Sequence, residues 1–417
     1  MNVGFLGLGK LGLPVALSIE DNGHKVAGFD ISQSVLDMIE SRKLSYMEIG
    51  AQPLLEKTNL EIMDVPDLVS FSDILFVPIQ TPHDPAYEGI TRIPESRVDF
   101  NYEWLKSGIK TLADEIALQG EEKIVIIIST VLPGTIEREI KPLLNEKVKL
   151  CYNPFFIAMG TTLPDFTNPE FVLFGVDDEG AARKAEEFYK TIHDRPFFKT
   201  SIKSAELIKV AYNTFIGMKI VFANTMMEIC YHTGANVDEV SSAMGLATDR
   251  LMSTKYLYGG MGDGGGCHPR DNIAMSWLSR KLGLSHDFFD NLMMAREHQT
   301  EWLADFMINE NQDGLPFVIM GKTFKPETNI LTGSPAILLN HILEEKGLTS
   351  LQYDPYIDEV IPEFEPSVFL IGTKHPQFKD ITFPIGSIVI DPWRYIDDQL
   401  GVKIIRIGEN LDDNQNC

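Results

Sequence analysis

Residues 2–12, NVGFLGLGKLG, run from a short apolar stretch into glycines at positions 7, 9 and 12, the spacing G-x-G-x-x-G. A strand that turns through this pattern straight into a helix commits the chain to a βαβ unit, and so to a parallel sheet. Gly7 and Gly9 permit a tight turn and the close approach of a pyrophosphate, while Gly12 lets the helix pack on the strand. Lys10 and Leu11 lie inside the turn, at a helix N-terminus that attracts phosphate. Asp30 ends the next apolar run, 18 residues after Gly12. An acid there accepts hydrogen bonds from an adenosine ribose and repels a 2′-phosphate, which favours NAD over NADP. The same turn also serves Rossmann-like domains that hold no cofactor.

The runs VGFLGLG, HKVAGFD, ILFVPIQTP and KIVIIIST are short, β-rich and separated by helix-length intervals. They read as a parallel sheet covered on both faces. A second series follows in PFVIMGKTF, TSLQYDP, SVFLIGT and GSIVIDP. Between the two, SAELIKVAYNTFIGMKIVFANTMMEICYHTG holds no proline and only one glycine before Gly234. It predicts a long helix whose largely apolar circumference is buried on several sides. The expected fold class is α/β, with two Rossmann-like doubly wound parallel-sheet domains, residues 1–200 and 312–417. A long central helix and a helical middle domain, residues 201–311, join them. A second subunit would cover that helix, so a homodimer is expected.

With 417 residues, 44% hydrophobic and 23% charged, the chain has the composition of a soluble protein of two or three domains. No apolar run is long enough to span a bilayer, and the N-terminus lacks the basic region and cleavage site of a signal peptide. Cys151, Cys230, Cys267 and Cys417 show neither CxxC nor zinc-ligand spacing, so no metal is expected and reduced thiols fit a cytoplasmic protein. A net charge of −24, from 36 basic and 60 acidic residues, repels phosphate backbones and argues against nucleic-acid binding.

Two stretches carry candidate chemistry. In GDGGGCHPRD, residues 262–271, Cys267 and Asp271 share a face if a helix begins near Cys267. The helix N-terminus and Arg270 would both lower the thiol pKa, making a nucleophile. Cysteine is also among the most often buried residues, so local sequence leaves an inert core residue equally open. Glu206, Lys209 and Asn213 lie at i, i+3 and i+7 on the long helix. That spacing suits either a buried polar site or a solvated stripe. Tyr256, Tyr258 and His268 read as packing beside the glycine loop, and His375 as a structural histidine.

Taken together, these residues resemble the UDP-glucose/GDP-mannose dehydrogenase family over nearly the whole chain. GLGKLGLP is similar to its cofactor turn, QTP at 80–82 to its second cofactor strand, and STVLPGT at 129–135 to the strand whose threonine sits by the nicotinamide. The resemblance gives Thr81, Pro82, Thr130 and Arg270 to the cofactor. AELIKVAYNTF resembles the helix carrying the family's catalytic Lys and Asn, here Lys209 and Asn213. GGGCHPRD resembles GGSCxPKD, which makes Cys267 the nucleophile and Asp271 its partner, with Gly264 and Gly265 near the substrate. FKPET, SPA, YDPY and TKHPQF are similar to the third-domain signature, with Phe324 and Lys325 meeting the nucleotide. Arg250 is a candidate anion contact offered to a neighbouring subunit.

The resemblance implies two oxidations at C6 of a nucleotide sugar by NAD, through an aldehyde and a Cys267 thioester, to a uronic acid. Lys209 would stabilise oxyanionic charge, while Asn213 and Asp271 would place or activate water. Several departures matter. Where the family has NPEFLxEG this chain has NPFFIAMG at 153–160, so Phe155 and Met159 replace two glutamates, the first of which is assigned to water activation. Thr332 and Gly333 stand where an arginine and an acid usually precede SPA, and Arg270 replaces a lysine. PHDPAYEGITRIPE, residues 82–95, is longer than the usual link and suggests a lid. Three outcomes follow: uronate formation with another group handling water, a single or redirected oxidation, or a silent nucleotide-sugar binder. The retained Lys209, Asn213, Cys267 and Asp271 argue against the last.

Overall fold

A computed structural model describes residues 1–82, 98–253, 259–261 and 267–408. The chain divides into two units, Met1–Met218 and Lys219–Cys417.

Eight strands build the sheet of the first unit: β1 (Asn2–Leu6), β2 (Lys25–Phe29), β3 (Glu61–Ile62), β4 (Ile74–Val77), β5 (Lys123–Ile127), β6 (Val148–Tyr152), β7 (Val172–Val176) and β8 (Phe197–Ser201). Their order is β3-β2-β1-β4-β5-β6-β7-β8. Strands β4 and β5 are buried at every position, as central strands covered on both faces must be. One apolar layer holds Phe5, Phe76, Phe174 and Phe188, and the other Leu75, Ile109, Val125 and Ile127. The sheet departs from the all-parallel expectation at one edge, where β6 and β7 pair antiparallel, Cys151 opposite Val176. The segment joining them, residues 153–171, contains only a short helix, Thr162–Thr167, so no full crossover is present to restore a parallel direction.

The second unit carries β9 (Phe317–Met320), β10 (Ser350–Tyr353), β11 (Val368–Ile371), β12 (Ile388–Asp391) and β13 (Lys403–Arg406), in the order β10-β9-β11-β12-β13. All its pairings are parallel. The SPA motif starts the helix Pro335–Glu345: Ser334 is its N-cap, accepting the Ile337 N–H at 3.4 Å, and Pro335 occupies the first turn where no amide is needed.

A helix of 32 residues, Ile202–Thr233, begins in the first unit and ends in the second. Leu207, Phe215, Ile216, Met218 and Met227 remain exposed on it. Among its described residues the helix is thus less fully buried than its apolar circumference predicts. Among the described residues no helix is long and apolar enough to cross a membrane.

Candidate active site

Each glycine of the opening turn has a measurable reason. Gly7 adopts φ +118°, a conformation that side chains rarely enter, and donates its N–H to Phe29 O at 2.8 Å. A Cβ on Gly12 would lie 2.3 Å from Gly7 O, so only glycine lets the helix Gly12–Asp21 begin this close to β1. A Cβ on Gly9 would meet nothing nearer than Gln80 Nε2 at 3.9 Å. Gly9 therefore keeps an open side, the cradle a pyrophosphate requires. Lys10 is exposed beside it and Leu11 half-buried.

Asp30, just past β2, closes the turn from the other strand. Its Oδ2 accepts the Leu8 N–H at 2.7 Å and its Oδ1 the Ser32 N–H at 2.8 Å. A carboxylate has about four acceptor positions, so capacity remains for a ribose hydroxyl. The loops after β4 and β5 are stitched together: Thr81 Oγ1 donates to Thr130 O at 2.7 Å, and Ser129 Oγ to Ile79 O at 2.5 Å. Pro82 O accepts the Asn101 N–H at 3.0 Å. These loops leave the carboxyl ends of β1, β4 and β5, where the strand order reverses between β1 and β4. Ligands of doubly wound sheets bind at such a point, and the residues present fit a dinucleotide.

Lys209 is 8% exposed on the central helix, and burial lowers its pKa. Its Nζ stands 5.2 Å from the Phe156 ring, a ring that also packs on Tyr212 at 4.6 Å and Phe171 at 4.8 Å. Rings supply only a weak cation contact, and no carboxylate pairs with this amine among the described residues. Glu206, one turn earlier, does not join it in a polar stripe. It is fully buried and clasps the loop after β5, Oε2 accepting the Gly134 N–H at 2.5 Å and Oε1 the Ile136 N–H at 2.7 Å. Burial raises its pKa, and the two amide bonds offset this only in part. Asn213 is exposed. Along the face that Glu206, Lys209 and Asn213 share, the structure thus has a buried clasp, a buried cation and an exposed amide.

Phe155 turns inward, 5.7 Å from Phe166, and joins the apolar layer of the sheet. A cavity of about 30 Å³ beside it is lined by Asn153, Asp165, Tyr189 and His193 among apolar groups. Met159 is exposed.

In the second unit, Cys267 opens the helix Cys267–Leu282 and Asp271 follows one turn on, as the spacing predicted. The side chains of Cys267, His268, Arg270 and Asp271 lie outside the described residues, as do Gly264, Gly265, Tyr256, Tyr258 and residues 83–95 of the 82–95 insertion. Arg250 is exposed in a turn. Phe324 and Lys325 follow β9, the Lys325 amine 5.5 Å from the Phe324 ring. Cys151 and Cys230 are buried free thiols, and burial pushes the Cys151 pKa up to about 12, so it is inert.

Sequence reasoning missed the bonds of Glu206 and a buried group formed by Thr323, Asp354 and His375. Asp354 Oδ2 accepts from the Thr323 hydroxyl and from His375 Nε2, each at 3.0 Å. The YDP and TKHPQF motifs contain two of these residues, but Asp354 lies 31 positions from Thr323 and 21 from His375, and spacing does not show that they meet.

Comparison with known proteins gives one family. Its NAD binding domain, in the UDP-glucose/GDP-mannose dehydrogenase family, matches residues 1–193, and its central domain matches residues 203–297. UDP-glucose 6-dehydrogenase TuaD of Bacillus subtilis is 28% identical over 96% of this chain and 86% of its own length. GDP-mannose 6-dehydrogenase of Pseudomonas aeruginosa is 25% identical over 86% and 82%. The crystal structure of a ternary complex of GDP-mannose dehydrogenase from Pseudomonas aeruginosa superposes with a TM-score of 0.86 at 23% identity, covering 97% of this chain and 99% of that one. The glycine turn, Asp30 and the buried Lys209 thus have their setting, and the chain belongs to the UDP-glucose/GDP-mannose dehydrogenase family, with NAD as the cofactor of its first domain.

Proposed function

We propose that this enzyme oxidises the C6 primary alcohol of a UDP- or GDP-hexose to a uronic acid. The observation that carries the reading is Lys209, a buried amine facing rings and free of a carboxylate among the described residues. A cation kept this way is ready for an anion that forms only during reaction, the alkoxide and then the oxyanion at C6. Bound NAD supplies the hydride acceptor. Gly7, Gly9, Lys10, Leu11, Gly12, Asp30, Thr81, Pro82, Thr130 and Arg270 hold it. Cys267 adds its thiolate to the aldehyde carbon, giving a thiohemiacetal whose oxidation yields a thioester. Water then displaces Cys267, with Asn213 and Asp271 orienting it. Across both oxidations the alcohol and one water become a carboxylate, and two hydrides and three protons leave. Arg250, Gly264, Gly265, Phe324 and Lys325 serve substrate binding, Lys325 at the nucleotide phosphates.

The organisation proposed is a cofactor domain (1–200), a helical middle (201–311) and a nucleotide-sugar domain (312–417). A second copy covers the exposed apolar residues of the central helix, and the protein acts in the cytoplasm. One observation favours a second reading, a single oxidation ending at the aldehyde: Phe155 fills the position of a water-activating glutamate and packs on Phe166. Loss of a general base slows hydrolysis by about 10²–10⁴-fold. Counting NADH formed per sugar over a panel of UDP- and GDP-hexoses separates the readings. Two per sugar is expected, with Cys267→Ser reducing the yield to one. A yield of one from the unsubstituted enzyme supports the second reading, and none with any sugar refutes both.

A further inference from the structure

We propose that His375 is a positioning residue for the nucleotide diphosphate, acting with Asp354 to fix the loop 321–327 that presents Lys325. The inference rests on the reading above that Lys325 meets the nucleotide phosphates.

The loop leaves β9 at Gly321, with φ +107°, and returns through Glu327, whose φ of 58° is left-handed and strained for a residue with a side chain. Several of the polar backbone groups between them are tied to one buried cluster. Asp354 Oδ2 accepts the N–H of Lys322 at 2.7 Å and of Thr323 at 2.9 Å. The Thr323 hydroxyl also lies 3.1 Å from the carbonyl of Lys325 itself. Thr373 Oγ1 donates to Thr323 O at 2.6 Å. His375 spans the arrangement: Nδ1 accepts the Glu327 N–H at 3.4 Å, which leaves Nε2 as the donor to Asp354 at 3.0 Å. One fully buried ring thereby joins the start of the loop, through Asp354, to its strained end.

Charge supports the same role. Lys322 is neutralised by Asp358 at 2.7 Å, whereas the exposed Lys325 has no ion pair among the described residues. Burial works to raise the Asp354 pKa, but the bonds from His375 and from the amides of Lys322, Tyr356 and Thr323 outweigh it and hold the carboxyl well below its usual range. The negative charge is thus spent within the cluster, and the outward face of the loop offers an ammonium. Tyr356 stacks on the imidazole at 5.0 Å and Phe378 abuts it edge-on at 5.4 Å, so the ring has no rotational freedom to lose.

The test compares His375→Phe, which keeps a ring in the stack but drops both hydrogen bonds, with His375→Gln, which keeps a donor towards Asp354, and with Lys325→Met. UDP, GDP and NAD binding to the full-length variants are measured by calorimetry, together with kcat and KM for the sugar nucleotide the enzyme accepts. His375→Phe is expected to weaken the preferred nucleoside diphosphate about tenfold, one lost hydrogen bond's worth, and to raise KM likewise. His375→Gln is expected to recover part of that loss. NAD affinity and kcat should stay within about twofold of the parent, which a general loosening of the fold would not allow. If Lys325→Met weakens nucleotide binding while His375→Phe leaves it unchanged, the positioning role is wrong. Should NAD affinity and kcat fall in step with nucleotide affinity, that role is likewise wrong. If Lys325→Met itself binds nucleotide normally, the reading of Lys325 fails instead.

Discussion

Removal of the Glu206 carboxylate tests the joint between the central helix and the cofactor loop. Glu206→Ala leaves the amides of Gly134 and Ile136 buried without an acceptor, having lost bonds of 2.5 and 2.7 Å. Each orphaned buried amide costs about 1–3 kcal/mol, so the pair costs about 2–6 and centrally about 4. Relief of the buried charge and the better helix propensity of alanine return less than about 1 kcal/mol each in this setting. For a unit of this size 1 kcal/mol shifts Tm by about 2–4 °C, and at least about 2 kcal/mol remains, so the midpoint for the first unit should fall about 4 °C or more. Glu206→Gln keeps one acceptor but turns an NH₂ group towards the other amide, and should fall between. The readouts are scanning calorimetry and hydrogen exchange at the two amides. Because burial raises the Glu206 pKa, the native state binds its proton more tightly than the unfolded chain. Its stabilising contribution is therefore full below the unfolded value of about 4.3 and is lost as pH rises through the native one. That decline should vanish in Glu206→Gln. A drop in Tm below about 3 °C for the alanine variant, with both amides still protected, would refute the clasp.

Two further outcomes follow from the same unit. Lys209→Met should abolish turnover yet stabilise the protein by about 1–3 kcal/mol at neutral pH, since it replaces a desolvated cation facing Phe156 with an apolar chain. Burial lowers this lysine's native pKa, so the cost lies below that value and disappears towards the unfolded value of about 10.4. The stability gap in urea titrations should accordingly close as pH rises through that window. Gly12→Ala should cost about 2–3 kcal/mol and weaken NAD binding in calorimetry, because its Cβ would sit 2.3 Å from the Gly7 carbonyl, a backbone atom that cannot step aside.

What was legible in the sequence was what local backbone geometry dictates. The glycine turn, the acid after β2 and the first turn of the Cys267 helix depend on residues within a few positions of one another, and spacing alone specifies them. The antiparallel β6–β7 pair was not legible, because strand direction is set by the path between strands rather than by the strands' composition. The spacing puts Glu206 on the long helix but does not show what it bonds. Its acceptors' donors are the amides of residues 134 and 136, 72 and 70 positions away, and an amide is carried by every residue. For the same reason the tie from His375 to the Glu327 N–H could not be read from either motif.

Phe155 shows why the lost glutamate cannot be judged one letter at a time. The ring is part of a layer with Phe166 and Tyr189, beside a cavity of about 30 Å³, room for a water or two. Most polar groups on that cavity are already engaged. Tyr189 donates to Asn153 at 2.5 Å, Asn153 in turn to Leu173 O at 2.9 Å, and Asp165 Oδ2 accepts from Ala158 and Thr161, each at 2.9 Å. Among the lining groups described, His193 Nε2 is buried without a partner. A carboxylate set among these rings would lose much of its solvation; His193 Nδ1 accepts the Arg195 N–H, so its Nε2–H is the one unengaged donor on the cavity among the described residues, and burial would push the carboxyl pKa up. The surroundings of residue 155 are therefore filled by an aromatic ring, and the proposed uronate route leaves water activation to groups elsewhere, Asp271 first.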